Sequence, residues 1–363
     1  MPISQNIITQ QPALSDLAAR LEAAPALALD TEFLRERTYR AELCLLQLAD
    51  AAGPVCVDPL ALTDLTPLRA ALTGAQTLKV MHASRQDIEV LLPAVGLVQP
   101  VFDTQIAAAL AGMPAQVGYA ELVKRVLGRE LSKAHTRTDW SRRPLAPEQI
   151  DYALDDVRFL LPLRDYLGEQ LERLGRSEWL AEELAGLGDA GGYSVDPEQA
   201  WRRLRALRGL DPERQRLARS LAAWRERRAG ERNRPRGWIL DDSLLRDIIL
   251  RVPRTLEDLS TLPEMPSSLV KHCGAEILEL IRAAELPAVL PGAAARSAPD
   301  PTKNALVKKL AAMNQAVAAE LQLSPEILVT RRELEQLADG QCDLGVLRGW
   351  RRAVIGERLL AAL

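Results

Sequence analysis

The chain has 363 residues and a mass of 39.9 kDa, which exceeds one ordinary domain and predicts two or three. Hydrophobic residues make up 47% and charged residues 26%, so wholesale disorder and a fibrous chain are excluded. No apolar run is long enough to span a membrane, and the first residues lack the basic and apolar segments of a secretory signal. The four cysteines stand far apart with no C-x-x-C pair, which argues against a disulfide scaffold and predicts a reducing cytoplasm.

The net charge of -3 conceals an uneven distribution along the chain. Residues 201–236 contain 13 arginines and four acids, so the rest of the chain is strongly acidic. This separation predicts phosphate contact in one part of the protein and metal binding or chemistry in another. A solvated basic helix face is the alternative, and charge alone does not decide between the two.

The first part of the chain alternates short apolar runs with helical patterns. Strands are predicted at 26–33, 43–49, 55–58 and 77–81. Helices are predicted at 15–23, 65–72, 84–92, 104–111, 118–127 and 147–172, the last with a bend at Pro162. This order indicates a mixed sheet packed by helices, in one α/β domain over residues 1–175.

The strand signal disappears beyond about residue 190. Asp196-Pro197 and Asp211-Pro212 each supply an N-cap followed by a first-turn proline. A proline-rich, low-complexity segment at 286–302 predicts a linker. We therefore expect two small all-α domains, at 193–285 and 303–363.

Two acids follow the first apolar strand. Asp30 and Glu32 are two residues apart, a spacing that places both carboxylates on one face of a strand and Thr31 on the other. They stand at the carboxyl end of a probable central strand, where α/β sheets place their sites. Alone, the pair is equally typical of a solvated acidic turn.

Further acids occur at two later points. Asp87 lies in the first turn of a predicted helix, where an acid can merely complement the helix dipole. Tyr152 and Asp156 are four residues apart and share one side of a predicted helix. Taken together with the first pair, the acids form an oxygen-only ligand set, which selects hard cations such as Mg²⁺ or Mn²⁺. Such clusters hold the two ions that cleave phosphodiesters.

The segments around these residues resemble the three exonuclease motifs of the DEDD superfamily, and the chain resembles the bacterial ribonuclease D family. The motif segments are DTEFLRERTYRAELCLLQLAD, KVMHASRQDIEVL and RTDWSRRPLAPEQIDYALDDVRFLLPL. A later segment, RNRPRGWILDDSLLRDIILRVPRTLEDLSTLP, is similar to an HRDC domain, a small helical module that binds nucleic acid. The resemblance extends to about residue 285, and residues 302–363 resemble a second HRDC domain more weakly.

The resemblance implies a ribonuclease H-like exonuclease domain of the tyrosine branch. It implies that Asp30 contacts both metal ions, that Glu32 and Asp156 bind the ion on the nucleophile side, and that Asp87 binds the other. Tyr152 would orient the attacking water, because a tyrosine with an ordinary pKa near ~10 is a poor general base at neutral pH.

The implied activity is a 3′-to-5′ exoribonuclease that trims structured RNA precursors such as tRNA and releases nucleoside 5′-monophosphates. The implied partner is RNA, with no membrane, and one chain suffices as a monomer. Two alternatives are a DNA 3′-to-5′ exonuclease of repair or proofreading type, and a non-catalytic nucleic-acid-binding protein.

Two details of the motifs allow other interpretations. Asp155 adjoins Asp156, but the family pattern Y-A-x-x-D-V selects Asp156. His82 and Asp87 also match H-x-x-x-x-D, the spacing of the histidine branch. That interpretation needs another acid, such as Asp58, and leaves the tyrosine motif unused, so a structural role near the site is expected for the histidine.

Basic residues precede the third motif. Lys133, Arg137, Arg142 and Arg143 are candidates for RNA phosphate contacts, since guanidinium groups suit that role, although each also fits a solvated surface. Asp103 is as typical of a helix cap as of a functional acid. No glycine-rich nucleotide motif is present, so no nucleotide cofactor is expected.

Overall fold

The computed structural model describes residues 6–132, 138–204, 210–284 and 301–363. The chain forms two compact units. The first comprises Met1–Leu34, Leu43–Tyr193 and Pro299–Leu363, and the second comprises Arg35–Glu42 and Ser194–Ala298. Among the described residues, no helix is both long enough and apolar enough to cross a membrane.

The first unit contains one six-stranded sheet in the order β1-β4-β3-β2-β5-β6. Its strands are β1 (Ile7–Ile8), β2 (Ala26–Leu34), β3 (Glu42–Asp50), β4 (Gly53–Val57), β5 (Leu78–Met81) and β6 (Val101–Asp103). The pairs β1–β4, β2–β5 and β5–β6 are parallel, and β3–β4 is antiparallel. The predicted mixed sheet is therefore confirmed. The sequence pattern missed β1 and β6, which are too short to show a periodicity.

Among the described residues, eight α-helices of the first unit lie before Ser194. They are α1 (Gln11–Glu22), α2 (Arg69–Thr73), α3 (Arg85–Val95), α4 (Thr104–Leu110), α5 (Tyr119–Leu127), α6 (Pro147–Arg158), α7 (Leu160–Arg173) and α8 (Ser177–Ala185). The bend predicted at Pro162 is instead a break at Phe159. Pro162 has no N–H to donate to the carbonyl of Arg158 and its ring crowds that carbonyl, so the helix ends one turn before the proline.

Both faces of β2 are covered. Leu27 and Leu29 belong to an apolar cluster shared with α1, α2 and α3, whereas Ala28 belongs to a cluster shared with α4, α5 and α7. Side chains alternate between the faces of a strand, so consecutive residues of β2 reach different helical layers. This alternation decides where the acids that end the strand are placed.

The second unit is helical. It contains a 3₁₀ segment (Pro197–Arg203) and the helices α9 (Pro212–Arg232), α10 (Arg236–Ile239), α11 (Asp242–Arg251), α12 (Leu256–Ser260) and α13 (Ser267–Ala283). The predicted caps are present: Asp196 accepts from the backbone N–H of Glu198, and Asp211 accepts from that of Arg214. Leu217, Leu221 and Trp224 of α9 lie in the core of this unit, packed with residues of α11 and α13.

The last segment of the chain belongs to the first unit. It contains α14 (Pro301–Leu321), α15 (Pro325–Leu328), α16 (Arg331–Ala338), α17 (Gly349–Arg351) and α18 (Glu357–Leu360), with a π-helical turn between the last two. Their apolar residues share one cluster with α4, α5, α7 and α8. The predicted linker at 286–302 lies outside the described residues, apart from its last two positions, which begin α14.

Polar and aromatic contacts join this segment to α8. The rings of Trp179 and Trp350 stack with centroids 4.4 Å apart. Glu183 accepts from Trp350 Nε1 at 2.8 Å and pairs with Arg351 at 2.5 Å. Arg176 donates to the carbonyls of Leu110 at 2.7 Å and Leu321 at 2.6 Å, and its guanidinium lies over the Trp179 ring. These contacts, which we call the α8 seam, connect residues far apart in sequence.

Candidate active site

The end of β2 distributes its side chains between two helical layers. Asp30 and Glu32 lie on the face of Ala28, and Thr31 lies on the face of Leu29. Thr31 is buried, and its hydroxyl donates to Asp87 Oδ1 at 2.5 Å. The predicted alternation is confirmed, because the threonine between the two acids contacts the opposite layer.

Asp87 occupies the first turn of α3 and is 7% exposed. The Thr31 hydroxyl fixes one of its carboxylate oxygens. Asp87 nevertheless raises the pKa of both Asp30 and Glu32, so its charge acts across the end of β2. This role of Thr31 was not predicted, although the strand pattern already placed its side chain on the face opposite to the two acids.

Helix α6 contributes Tyr152 and Asp156. Asp156 acts electrostatically on both Asp30 and Glu32, whereas its neighbour Asp155 pairs with Arg158 at 3.2 Å. The geometry therefore favours Asp156 over Asp155 as the acid of this site. The structure brings together the five residues that the sequence analysis singled out, from β2, α3 and α6.

Burial dominates the electrostatics of the four acids. It raises the pKa of Asp30 well above its usual value, and the charges of Asp87, Asp156 and Glu32 raise it further. Burial, followed by Asp156 and Asp87, raises the pKa of Glu32 to about 8. Burial and then Asp155 raise the pKa of Asp156 to about 7. Burial raises the pKa of Asp87 to about 6, against the opposing effect of the Thr31 hydrogen bond. The four carboxylates thus repel one another.

This arrangement fits a divalent cation. Throughout the described residues, no lysine or arginine forms an ion pair with any of the four acids. Adjacent buried acids without a cation are costly unless they take up protons or bind a metal. Among the same described residues, however, no three acid, histidine or cysteine side chains are placed so that they could hold a metal ion. Binding an ion at these carboxylates would therefore require their side chains to move.

Tyr152 is placed beside these acids. Its ring stacks with that of Trp140, with centroids 6.2 Å apart. Burial, followed by the charges of Asp156, Glu32 and Asp30, raises the pKa of Tyr152 to about 12. The hydroxyl is consequently protonated at neutral pH and suits hydrogen bonding to a water or phosphate rather than proton abstraction.

A further tyrosine supports the end of α6. Tyr119 donates its hydroxyl hydrogen to the carbonyl of Asp155 at 3.0 Å and accepts from the N–H of Phe159 at 3.2 Å. It therefore satisfies backbone groups at the break between α6 and α7, next to Asp156. Tyr119 and Trp140 could not be predicted as site residues, since an isolated aromatic residue in a sequence carries no local signal for such a contact.

His82 has a structural role. Its Nδ1 lies 2.9 Å from Thr104 Oγ1 and its Nε2 lies 3.0 Å from the carbonyl of Val117, so both ring nitrogens are engaged. Asp58, the extra acid that the histidine-branch interpretation requires, is bound by Arg143. That interpretation is therefore not supported. Asp103 is a helix cap, accepting from the backbone N–H of Gln105 and Ile106.

The basic residues before the third motif differ in their exposure and in the groups that they contact. Arg143 donates to both oxygens of Asp58, at 2.6 and 2.8 Å, and to the carbonyls of Cys44 and Trp140, each at 2.7 Å. Its guanidinium is thus used within the domain, contrary to a role in phosphate contact. Arg142 is largely exposed and pairs with Asp139. Lys133 and Arg137 lie outside the described residues.

The arginine block of the second unit is partly used in internal ion pairs. The paired arginines are Arg214, Arg219, Arg225, Arg227, Arg228 and Arg236. Within the described part of the block, Arg202, Arg203, Arg216, Arg232 and Arg234 have no carboxylate at ion-pair distance. The predicted phosphate contacts are accordingly restricted to this smaller set.

Two family matches and two relatives identify the class of protein to which the chain belongs. Residues 5–172 match the 3′-5′ exonuclease family, and residues 214–281 match the HRDC domain. The chain is 39% identical to ribonuclease D of Gluconacetobacter diazotrophicus and 37% identical to that of Nitrobacter hamburgensis, covering 98% of this chain and 92% and 94% of theirs.

A solved structure supports the same family assignment. The chain superposes on Escherichia coli RNase D, described as an exoribonuclease involved in structured RNA processing, with a TM-score of 0.87 and 34% identity over 98% of both chains. The chain belongs to the ribonuclease D family. It is a 3′-5′ exoribonuclease, and its family implies dependence on divalent metal ions.

Proposed function

We propose that Asp30, Glu32, Asp87 and Asp156 bind two divalent cations, Mg²⁺ or Mn²⁺, at which 3′-terminal phosphodiesters of RNA are hydrolysed. The observation that supports this most strongly is the mutual repulsion of four carboxylates from three elements, with no internal cation beside them among the described residues. Bound divalent ions supply Lewis acidity at the scissile phosphate and lower the pKa of water.

The residues of the chain then have separable roles. Asp30 would serve both ions, a role supported by the electrostatic effect of the other three acids on it. Glu32 of β2 and Asp156 of α6, whose charge acts on Glu32, would serve the ion on the nucleophile side. Tyr152, protonated at neutral pH, orients the attacking water through its hydroxyl. Hydrolysis in this orientation releases nucleoside 5′-monophosphates.

We further propose that the substrates are the 3′ ends of structured RNA precursors, with tRNA precursors foremost. The structured-RNA role described for the Escherichia coli relative supports this, as do the arginines of the second unit that have no carboxylate at ion-pair distance among the described residues. The site is assembled from β2, α3 and α6 of one chain, so a monomer suffices. Three of the four cysteines are buried and all four are free thiols, which fits a cytoplasmic enzyme.

Replacing Asp156 tests the site with a control on the same helix. Asp156→Asn should lower kcat at least about 1,000-fold, because a metal ligand supplies several kcal/mol of transition-state stabilisation. Asp151→Asn removes an exposed acid of α6 and should retain activity within about 3-fold. The measurement is release of nucleoside monophosphates from a tRNA with a 3′ extension, with Mg²⁺, Mn²⁺ or EDTA.

The same assay separates the substrate classes. Single-stranded DNA of matched length should be shortened far more slowly than the RNA. Equal or faster hydrolysis of DNA would favour the repair or proofreading alternative. Full activity of Asp156→Asn would overturn the proposed metal site while leaving the family assignment in place.

A further inference from the structure

One tryptophan of the second unit is exposed without a packing role. Trp140, Trp224 and Trp350 are buried, whereas Trp238 on the short helix α10 exposes 60% of its surface. It is the most exposed large hydrophobic side chain among the described residues, so its ring is available to a ligand. The guanidinium of Arg234 lies over the Trp238 ring, 5.7 Å from its centroid. The ring is therefore accompanied by a positive charge.

A cavity of about 400 Å³ begins at the same ring. This volume falls within the range of small-ligand pockets. Its walls include Trp238, Arg232, Leu244, Leu269 and His272. The cavity contains none of the residues proposed for catalysis, so it is a separate feature of the molecule.

Arginines and acids both line this cavity, and the arginines differ in whether a carboxylate pairs with them. Arg228 also lines it, but its guanidinium pairs with Glu276 at 2.6 Å and is internally neutralised. Arg232 and Arg234 have no carboxylate at ion-pair distance among the described residues. Two acids also line the cavity: Asp241, which is engaged as the N-cap of α11 and accepts from Ser243, and Glu264. Two arginines thus remain for a phosphate beside one exposed aromatic ring.

We propose that the second unit holds an unpaired RNA nucleotide, with its base stacked on Trp238 and its phosphate bound by Arg232 and Arg234. A flat ring combined with unpaired guanidinium groups is the arrangement by which proteins bind single-stranded nucleic acid without reading its sequence. This inference rests on the proposed RNA substrate and adds a second place at which the enzyme holds that substrate. Stacking is tolerant of base identity, so the site suits many different RNAs.

The test measures binding apart from hydrolysis. The full chain is titrated in EDTA with a fluorescently labelled tRNA that carries a single-stranded 3′ extension, and separately with the extension alone. Trp238→Ala should weaken Kd for the single-stranded RNA about 10-fold, the loss of one stacked base. Trp238→Phe keeps a stacking ring and should bind within about 3-fold of the original protein. Arg232→Ala combined with Arg234→Ala should weaken binding and reduce its salt dependence.

Matched controls come from the same unit. Leu256→Ala removes an exposed apolar side chain elsewhere in the unit, and Arg246→Ala removes an exposed positive charge of α11. Neither should alter Kd more than about 2-fold. Intrinsic fluorescence gives a second readout, because a stacked base should quench Trp238 and that part of the quenching should vanish in Trp238→Phe.

Three results would overturn the proposal. They are wild-type binding by Trp238→Ala, an equal loss in Leu256→Ala, or unchanged quenching in Trp238→Phe. In the first case, the exposed ring would not bind RNA, and a contact with a protein partner would be the remaining explanation. Because binding is measured without metal, failure here is distinguishable from failure of the proposed substrate class, which the hydrolysis assay reports independently.

Discussion

Arg143 has a structural role, although its position in the sequence suggested a contact with RNA phosphate. Its guanidinium binds both oxygens of Asp58, whose side chain is only 4% exposed, while its own side chain is 26% exposed. Arg143→Met would leave the carboxylate of Asp58 buried without its cation. Breaking a fully buried pair costs 3–5 kcal/mol, and the partial exposure of Arg143 places this case near the lower end, at about 3 kcal/mol.

The expected effect is measurable by calorimetry. A unit of this size loses roughly 2–4 °C of Tm per kcal/mol, so the transition of the first unit should fall by roughly 6–12 °C. Calorimetry suits a chain of two units because it can separate their transitions. Adding Asp58→Asn to Arg143→Met should recover at least about 1 kcal/mol, because the unpaired charge is then removed.

The neighbouring arginine provides the control. Arg142 exposes 83% of its side chain in its pair with Asp139, so Arg142→Met should change stability by less than about 0.5 kcal/mol. The reasoning would be refuted if Arg143→Met kept the original Tm. Weaker RNA binding with a shallower salt dependence at that unchanged Tm would restore the phosphate role for Arg143.

Two further predictions concern the acids and the α8 seam. Burial and mutual repulsion raise the pKa of the four acids, so the folded metal-free protein binds more protons than the unfolded chain between about pH 4 and 8. Its Tm should therefore fall as pH rises from 5.5 to 8, and the fall should be smaller in Glu32→Gln. Mg²⁺ binding should release protons, which calorimetry in buffers of different ionisation enthalpy detects. A pH-independent Mg²⁺ affinity would contradict this. Glu183→Ala removes the acceptor of Trp350 and Arg351 and should destabilise the first unit by about 2 kcal/mol. Glu178→Ala, an exposed acid of the same helix, should cost less than about 0.5 kcal/mol, and an equal loss in both variants would show that the α8 seam is not responsible.

The sequence predicted those features that have a local pattern. The four central strands agree with the predicted ranges within two residues, since each is an apolar run bounded by turn residues. Asp30 and Glu32 were placed on one face by strand periodicity alone, and the contact of Thr31 with Asp87 agrees with it.

Other features depend on contacts between distant parts of the chain. Arg143 looked like a surface cation because nothing near it in sequence revealed that Asp58, 85 residues earlier, accepts its hydrogen bonds. The aromatic support of the site was invisible for the same reason, since Tyr119 bonds to backbone groups 36 and 40 residues away. The assignment of the last helices to the first unit likewise rests on long-range packing rather than on any motif.

The α8 seam has a consequence for synthesis of the protein. Glu182 accepts from the backbone N–H of Trp350, and the two residues are separated by 168 positions, with the Ser194–Ala298 part of the second unit encoded between them. The ribosome therefore finishes the second unit while the catalytic unit still lacks its last helices. Contacts of such long sequence separation form slowly, because loop closure precedes their stabilisation. The surface of α8 that Trp350 covers consequently stays exposed in the nascent chain until α17 has been synthesised, and exposed apolar surface of this kind favours aggregation and chaperone binding.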